Sequence, residues 1–362
     1  MAPFCDGTRV VALRAIGKFE LGGLRSRATT IGLGNKKGLQ SIMISMPPVY
    51  PADPAAIARA AEILRRGGLV AFPTETVYGL GADATNDAAV AAIFAAKERP
   101  RFNPLIVHVR DAEHAGTFVE FNPLARALAA AFWPGPLTLV LMRKPDAAIS
   151  LLASAGLDTI AVRAPSHPVA RRLLAACGFP VSAPSANPSG RVSATTAAHV
   201  AGELHGRVDL ILDDGPAPLG IESTVVGFEN DHPVLLRTGA LPRSNIEAVA
   251  GSLLGSAHEG VRSPGQLRSH YAPRTPLRLD ALDVNPGEAL LAFGATEPAG
   301  ASVMRNLSAT ADLAEAAAHL FAMLRELDAA GCPGIAVMPV PDHGLGEAIN
   351  DRLRRAATTD RD

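Results

Sequence analysis

From Asp53 onward, apolar runs of four to six residues alternate with longer segments whose apolar residues recur at helical spacing. That alternation restricts the chain to an α/β architecture in which strands and helices follow one another. Asp53-Pro54 supplies an N-cap followed by proline at the first helical position; Ile57, Ala60, Ala61 and Leu64 then form one face until Gly67-Gly68 stops the helix. Asn122-Pro123 repeats the device for a helix ending near Trp133. Further helices are predicted over residues 87–97, with Val90, Ile93 and Phe94 inward, over Pro168 to Cys177, around residues 195–204 and over residues 244–250. LVAFPT, LIVHV, LTLVLM, TIAVR, PVSAPS, VDLILD, STVVGF and VLLR read as strands.

Residues 251–275, rich in Gly, Ser and Pro and without helical or strand period, are the best linker candidate. They divide a mixed α/β unit (46–250) from a smaller one (276–362) that reads as ALLAFG, a long helix over residues 311–330, GIAVMPV and a final helix containing AINDRLRRAA. The intervening crossover should be right-handed. Residues 1–45 carry seven Lys or Arg against Asp6 and Glu20, many Gly and no sustained period. They are expected to be a loosely ordered extension or the product of an upstream-extended gene start, with a transit peptide as a third reading.

With 362 residues the chain can bury a sizeable core, and a net charge of -1 gives no bulk attraction to nucleic acid or membrane. Any polyanion must therefore be met by a local cluster. Cys5, Cys177 and Cys332 lie too far apart in the sequence for a disulfide framework or a cysteine-rich metal site. No window holds the eighteen or so apolar residues that span a bilayer, and a reducing, cytoplasmic setting is expected.

There is no G-x-x-x-x-G-K-[ST], H-E-x-x-H or G-x-S-x-G. Four polar turns instead interrupt the apolar strands. In FPTETVYGLGA, alternation along an extended segment would place Thr74, Thr76 and Tyr78 on one side. In AAKERPRFNPLIVHV, Lys97 and Arg99 fall at a helix C-terminus, where cations gain from the dipole, but Arg101, Asn103 and His108 continue the polar surface beyond it. His108 is either a satisfied core residue or a ligand contact. SAPSANPSGRVSAT offers Ser182, Ser185, Asn187, Ser189 and Ser193 on a proline-stiffened loop suited to phosphate oxygens or to plain turn chemistry. In GIESTVV with LLRTG, Glu222, Ser223 and Thr224 open a strand and Arg237 closes another; Arg237, like Arg163 in TIAVRAP, is deep enough in apolar sequence that it must be paired or bind an anion. Glu75, Asp83 and Glu222 are carboxylates without a neighbouring acid in sequence, so chemistry here should rest on positioning and charge stabilisation.

PTETVYGLGA, the KxRPxxNPLIVH pattern, WPGPLT, APSAN, ESTVV, the SPG...HYAP linker and the terminal AINDRLRRAA occur in an order that resembles the Sua5/YrdC/YwlC family in its long, two-domain Sua5 form, over about Pro51 to Ala357. The resemblance implies a twisted, mixed and mostly parallel sheet with a concave positive cleft, a linker folding over the cleft, and a small Rossmann-like C-terminal domain. It also implies an activity: combining L-threonine, bicarbonate and ATP into threonylcarbamoyl-AMP and pyrophosphate, for N6-threonylcarbamoyladenosine (t6A) at position 37 of tRNA. Carried over by motif, Thr76, Tyr78, His108, Arg163, Ala183 (through its backbone) and Ser223 would surround threonine; Arg99, Asn103, Thr159, Ser185, Ser193, Arg237 and Arg268 would hold ATP, with Lys97 and Arg99 serving the reaction at the phosphates. Mg²⁺ would arrive with ATP, and no protein-held structural metal is expected. Arg268 stands where such linkers often carry Tyr, in GQLRSHYAP rather than GMKYRHYAP. The implied partners are the transferase proteins that consume the product, with weak RNA binding as a secondary expectation and no membrane partner.

Two rival readings are an RNA-binding module with a concave cationic surface, which the near-zero net charge and the lack of interleaved aromatics oppose, and the related module of hydrogenase maturation proteins, whose acylphosphatase and zinc-finger regions are missing.

Overall fold

The structure, a computed structural model, describes residues 28–33, 40–45, 47–255 and 270–358. Strands β1 (Ala28–Leu33) and β2 (Gln40–Ser45) pair antiparallel as a sheet of their own. Then follow β3 (Val49–Pro51), α1 (Pro54–Arg65), β4 (Val70–Phe72), β5 (Gly79–Asp83), α2 (Asp87–Lys97), β6 (Ile106–His108), α3 (Ala112–Ala115), α4 (Pro123–Phe132), β7 (Leu137–Met142), β8 (Thr159–Arg163), α5 (Pro168–Cys177), β9 (Val181–Ser182), α6 (Ala197–Glu203), β10 (Leu210–Asp213), β11 (Thr224–Glu229), β12 (His232–Arg237), α7 (Arg243–Ala250) and β13 (Leu254–Gly255).

The caps do what the sequence expects. The Asp53 carboxylate accepts from the Ala56 N–H at 2.7 Å and the Asn122 amide oxygen from the Ala125 N–H at 2.7 Å, each ahead of a proline that needs no donor partner. For α2 the cap is Asn86, and Glu98 ends the helix in the left-handed region at φ 53.

Strands β3–β13 form one eleven-stranded sheet in the order β13-β12-β11-β7-β8-β6-β9-β5-β4-β10-β3. The sheet is mixed, with five of its ten pairings parallel. One face is packed along its length by apolar side chains of α2, α4, α6 and α7. The other is covered by α1 and α5 only at the β4–β10 end. Over β6, β7, β8, β11 and β12 it carries a small cluster, including Ile106, Val140, Ala161 and Val225, with no helix of the first unit upon it. Period-two alternation turns each residue two positions along the strand to this same side. His108 follows Ile106 and Arg163 follows Ala161, and the two stand opposite each other in the β6–β8 register.

The C-terminal unit has β14 (Leu277–Arg278), β15 (Ala289–Ala292), β16 (Met304–Asn306), α8 (Leu313–Ala329), β17 (Ile335–Val337) and α9 (Leu345–Ala357), with an all-parallel sheet in the order β14-β17-β15-β16. It packs against turns of the first unit. Val77, Val192 and Ile221 share a core with Leu320 and Phe321 of α8 and Leu353 of α9. Gly220 makes the approach of α8 feasible: its φ is +64, and a Cβ there would lie 2.3 Å from the Ala318 carbonyl oxygen.

The FPTETVYG segment differs from expectation. It is a turn ahead of β5, where the Thr74 hydroxyl donates to the Val77 carbonyl at 2.6 Å and accepts from the Thr76 and Val77 N–H groups at 3.2 and 3.3 Å. Thr74 and Thr76 meet, hydroxyl to hydroxyl, at 2.9 Å, whereas the Tyr78 hydroxyl goes elsewhere, donating to the Gly215 carbonyl at 2.7 Å. Local side chain–backbone bonding outcompetes the strand.

Candidate active site

The turns and strand ends converge on a cavity over the uncovered half of the sheet. Arg163, 3 % exposed, projects into it from the end of β8. Its Nε donates to the Gly135 carbonyl at 3.2 Å, Nη1 to the Thr76 hydroxyl at 2.9 Å and Nη2 to Glu75 Oε1 at 2.6 Å. Gly135 is in turn fixed by its own N–H on the Ala164 carbonyl at 2.8 Å, so the WPGPLT turn and the TETV turn grip the guanidinium from opposite sides.

Beside Arg163, burial and the neighbouring cation push the His108 imidazole down to about 3. It is a neutral ring at physiological pH, with Nδ1 buried and unpartnered among the described residues.

At the β11 edge, Ser223 and Thr138 join hydroxyl to hydroxyl at 2.7 Å. Arg237 donates through Nη2 to the Ser223 carbonyl at 2.8 Å and to its hydroxyl at 3.1 Å. The α2 exit brings in Arg99. Glu98 in the left-handed region and Pro100 turn the chain, the Arg99 N–H returns to the Phe94 carbonyl at 2.9 Å, and its guanidinium donates to the Pro104 and Asn103 carbonyls at 2.8 and 3.2 Å. Burial pushes Arg99 down to about 10, which leaves it charged at neutral pH. Ser185 and Ala183 complete this wall; the Ala183 N–H is taken by the Ile106 carbonyl at 2.9 Å.

The cavity is roofed by His270 and Tyr271, the first residues described after 255. Tyr271 adopts φ 63, stacks on Phe321 with centroids 5.6 Å apart, and lies under the Arg352 guanidinium at 5.0 Å. Its hydroxyl and His270 Nδ1 are buried without a partner among the described residues.

The structure thus gathers Thr76, Arg99, His108, Arg163, Ala183, Ser185, Ser223 and Arg237 at one cavity. The other candidates lie behind or beyond it. Lys97, 1 % exposed, donates to the Ser185 and Asn187 carbonyls and so shapes the serine-rich loop; burial first, and Arg99 second, push its pKa well below the ordinary value. Asn103 is fully buried, with neither amide atom partnered among the described residues. Ser193 donates to Glu222 Oε1, one shell behind the cavity. Tyr78 does not line the cavity, and Thr159 sits at the far end of β8 from Arg163, opposite Met142. Arg101 is exposed. Arg268 lies outside the described residues.

Sequence reasoning left Glu75 and Glu222 without partners and passed over Arg352. Glu222 Oε2 accepts from Arg352 Nε at 2.9 Å, and Arg352 Nη2 donates to the Thr238 carbonyl at 2.8 Å. A signal for Arg352 existed: it falls between Ile349 and Ala356 on the buried face of α9, where a cation must be paired.

Burial also lowers His199 to about 4 and His270 well below its ordinary value. Neutral histidines of this kind stabilise the fold fully above the unfolded value of 6.5 and lose that contribution as pH falls toward the folded values. Denaturant titrations should therefore show stability falling below pH 6.5 with a slope of about 1.4 kcal/mol per pH unit for each such group. A flat profile from pH 6.5 to 5 would contradict the burial of these rings.

A mixed sheet with one open half, a cavity lined by buried guanidiniums and a parallel-sheet unit packed against the turns define a two-unit α/β protein. The family profile Sua5–YciO–YrdC, described as telomere recombination, matches residues 62–239, and one described as the threonylcarbamoyl-AMP synthase C-terminal domain matches residues 241–358. The chain is 42% identical over 323 residues to the threonylcarbamoyl-AMP synthase of Bacillus subtilis (83% of this chain, 92% of that protein) and 40% identical over 318 residues to that of Pyrococcus abyssi (82% and 93%). It is similar in structure to P. abyssi Sua5 complexed with L-threonine, with a TM-score of 0.76 and 38% identity over 83% of this chain and 94% of that one. The chain belongs to the Sua5/YciO/YrdC family, in its two-domain form.

Proposed function

We propose that this chain is a nucleotidyltransferase that makes threonylcarbamoyl-AMP and pyrophosphate from L-threonine, bicarbonate and ATP, for t6A formation in tRNA. The observation that carries the reading is the convergence of Arg99, Arg163, Arg237, His108 and Ser223 on one enclosed cavity, in a chain that matches threonylcarbamoyl-AMP synthases over most of its length.

In this reading Arg163 meets the threonine carboxylate, with Thr76, His108, Ala183 and Ser223 around the side chain and amine. The neutral imidazole of His108 can accept or donate a hydrogen bond without adding charge. The amine adds to bicarbonate, releasing water and leaving N-carboxythreonine. A carboxylate oxygen of that carbamate attacks the α-phosphorus of ATP, and the bond to the β-phosphate oxygen breaks as pyrophosphate leaves. Arg99, Ser185 and Arg237 stabilise charge on the phosphates, while Lys97 and Ser193 hold the serine-rich loop and the Asn103 carbonyl helps to orient Arg99. The roof formed by His270 and Tyr271 excludes water from a labile carbamate.

Mg²⁺ belongs to the substrate as MgATP. The two carboxylates at the site are committed to guanidiniums, Glu75 to Arg163 and Glu222 to Arg352, and the described residues contain no cluster of metal-ligating side chains, so the phosphates would bring the ion. A separate transferase would carry the product to tRNA. No helix among the described residues is long and apolar enough to cross a membrane. Its proposed role in tRNA modification would place the chain in the cytoplasm. With ATP present, pyrophosphate release should require both L-threonine and bicarbonate; release indifferent to threonine would contradict the assignment.

A further inference from the structure

Arg163 is held at all three of its guanidinium nitrogens. A guanidinium has five N–H donors in a fixed planar fork. Three are engaged, one on each guanidinium nitrogen, by groups on two backbone segments: the Gly135 carbonyl on one, and the Thr76 hydroxyl and Glu75 Oε1 on the other. One N–H on each Nη is left over, and Arg163 lines the cavity. Glu75 is itself anchored. It is 5 % exposed, its Oε2 accepts the His167 N–H at 3.3 Å, and His167 caps α5, a helix packed against α1 and the sheet. Burial would raise the Glu75 carboxyl, but the charge and hydrogen bond of Arg163, with backbone N–H groups, outweigh it and hold the group below its ordinary value.

We propose that Glu75 is a positioning residue for the amino-acid substrate: with Thr76 it clamps Arg163 so that the remaining N–H donors are presented, pre-oriented, to an α-carboxylate. A bidentate Arg–carboxylate contact depends on the plane of the fork as well as on its charge, so fixing that plane removes rotamer entropy that binding would otherwise cost. The carboxylate also offsets one of several clustered cations, which disfavours capture of a stray inorganic anion in the amino-acid pocket. Glu75 touches no reacting atom in this arrangement and acts only through Arg163.

The inference rests on the threonylcarbamoyl-AMP-forming reading above, and the test separates the two. Full-length wild type, Glu75→Gln, Glu75→Asp, Arg163→Ala and the Glu75→Gln/Arg163→Ala double variant would be assayed for pyrophosphate release, with threonine varied at saturating ATP and then ATP varied at saturating threonine. For Glu75→Gln the threonine KM should rise by about 10- to 100-fold, as for loss of a buried charged partner, while the ATP KM stays within about twofold. Glu75→Asp, which keeps the charge but withdraws it by one methylene, should fall between. The double variant should match Arg163→Ala within about twofold, because a residue that acts through Arg163 has nothing left to act on.

An unchanged threonine KM in Glu75→Gln, an equal rise in both KM values, or additive losses in the double variant would overturn the proposal. Should Glu75→Gln fail to fold, a wild-type threonine KM in Glu75→Asp would overturn it as well. Wild-type protein that releases pyrophosphate without regard to threonine would instead sink the functional reading itself.

Discussion

Arg352→Ala is expected to destabilise the protein by about 3–5 kcal/mol, the range seen when one partner of a buried ion pair is removed. Arg352 is 0 % exposed and makes the connection from the C-terminal unit to the cavity wall. It donates to Glu222, to the Thr238 carbonyl and to Asp351, and lies over the face of Tyr271. Removing it strands the Glu222 carboxylate in a desolvated setting while Ser193 still donates to its other oxygen. Denaturant unfolding should show the midpoint falling accordingly, and Arg352→Met combined with Glu222→Gln should recover part of the loss because no buried charge is left unmatched. A midpoint shift equivalent to less than about 1 kcal/mol in Arg352→Ala would mean that the pair is solvated in solution.

Arg99→Ala should lower pyrophosphate release by about 10²- to 10³-fold, the scale for loss of a preorganised group that stabilises transition-state charge. The side chain is 8 % exposed and tethered to two backbone carbonyls of its own loop, so it reaches the cavity with little freedom. Arg101, two residues away and exposed, provides the control: Arg101→Ala should retain activity within about twofold. Circular dichroism should show both variants folded. Equal losses in the two would indicate a diffuse charge effect in place of a positioned cation.

Helices with both a cap and a stop were legible in the sequence, α1 and α4 above all, because Asp53-Pro54 and Asn122-Pro123 state the cap locally. The long apolar strands were equally plain. Strands β14 and β16, of two and three residues, leave no periodic pattern, and β5 opens with Gly79 and Gly81, which read as turn residues. Within the site, Arg163 and Arg237 announced themselves as cations in apolar sequence. Their surroundings did not, since Glu75 and Arg163 lie 88 residues apart and Glu222 and Arg352 lie 130 apart, pairings that only the sheet order and the packing of α9 create. The same distance explains Lys97: the sequence shows a basic residue at a helix end, and the fold spends it on two carbonyls of the serine-rich loop.

The most direct measurement is to incubate the full-length protein with ATP, L-threonine and ¹³C-bicarbonate and to identify the nucleotide product by mass spectrometry. The expected product is threonylcarbamoyl-AMP carrying the label at its carbamoyl carbon, formed together with pyrophosphate and abolished when threonine is left out. An unlabelled adenylate, or ADP and phosphate as the only products, would contradict it.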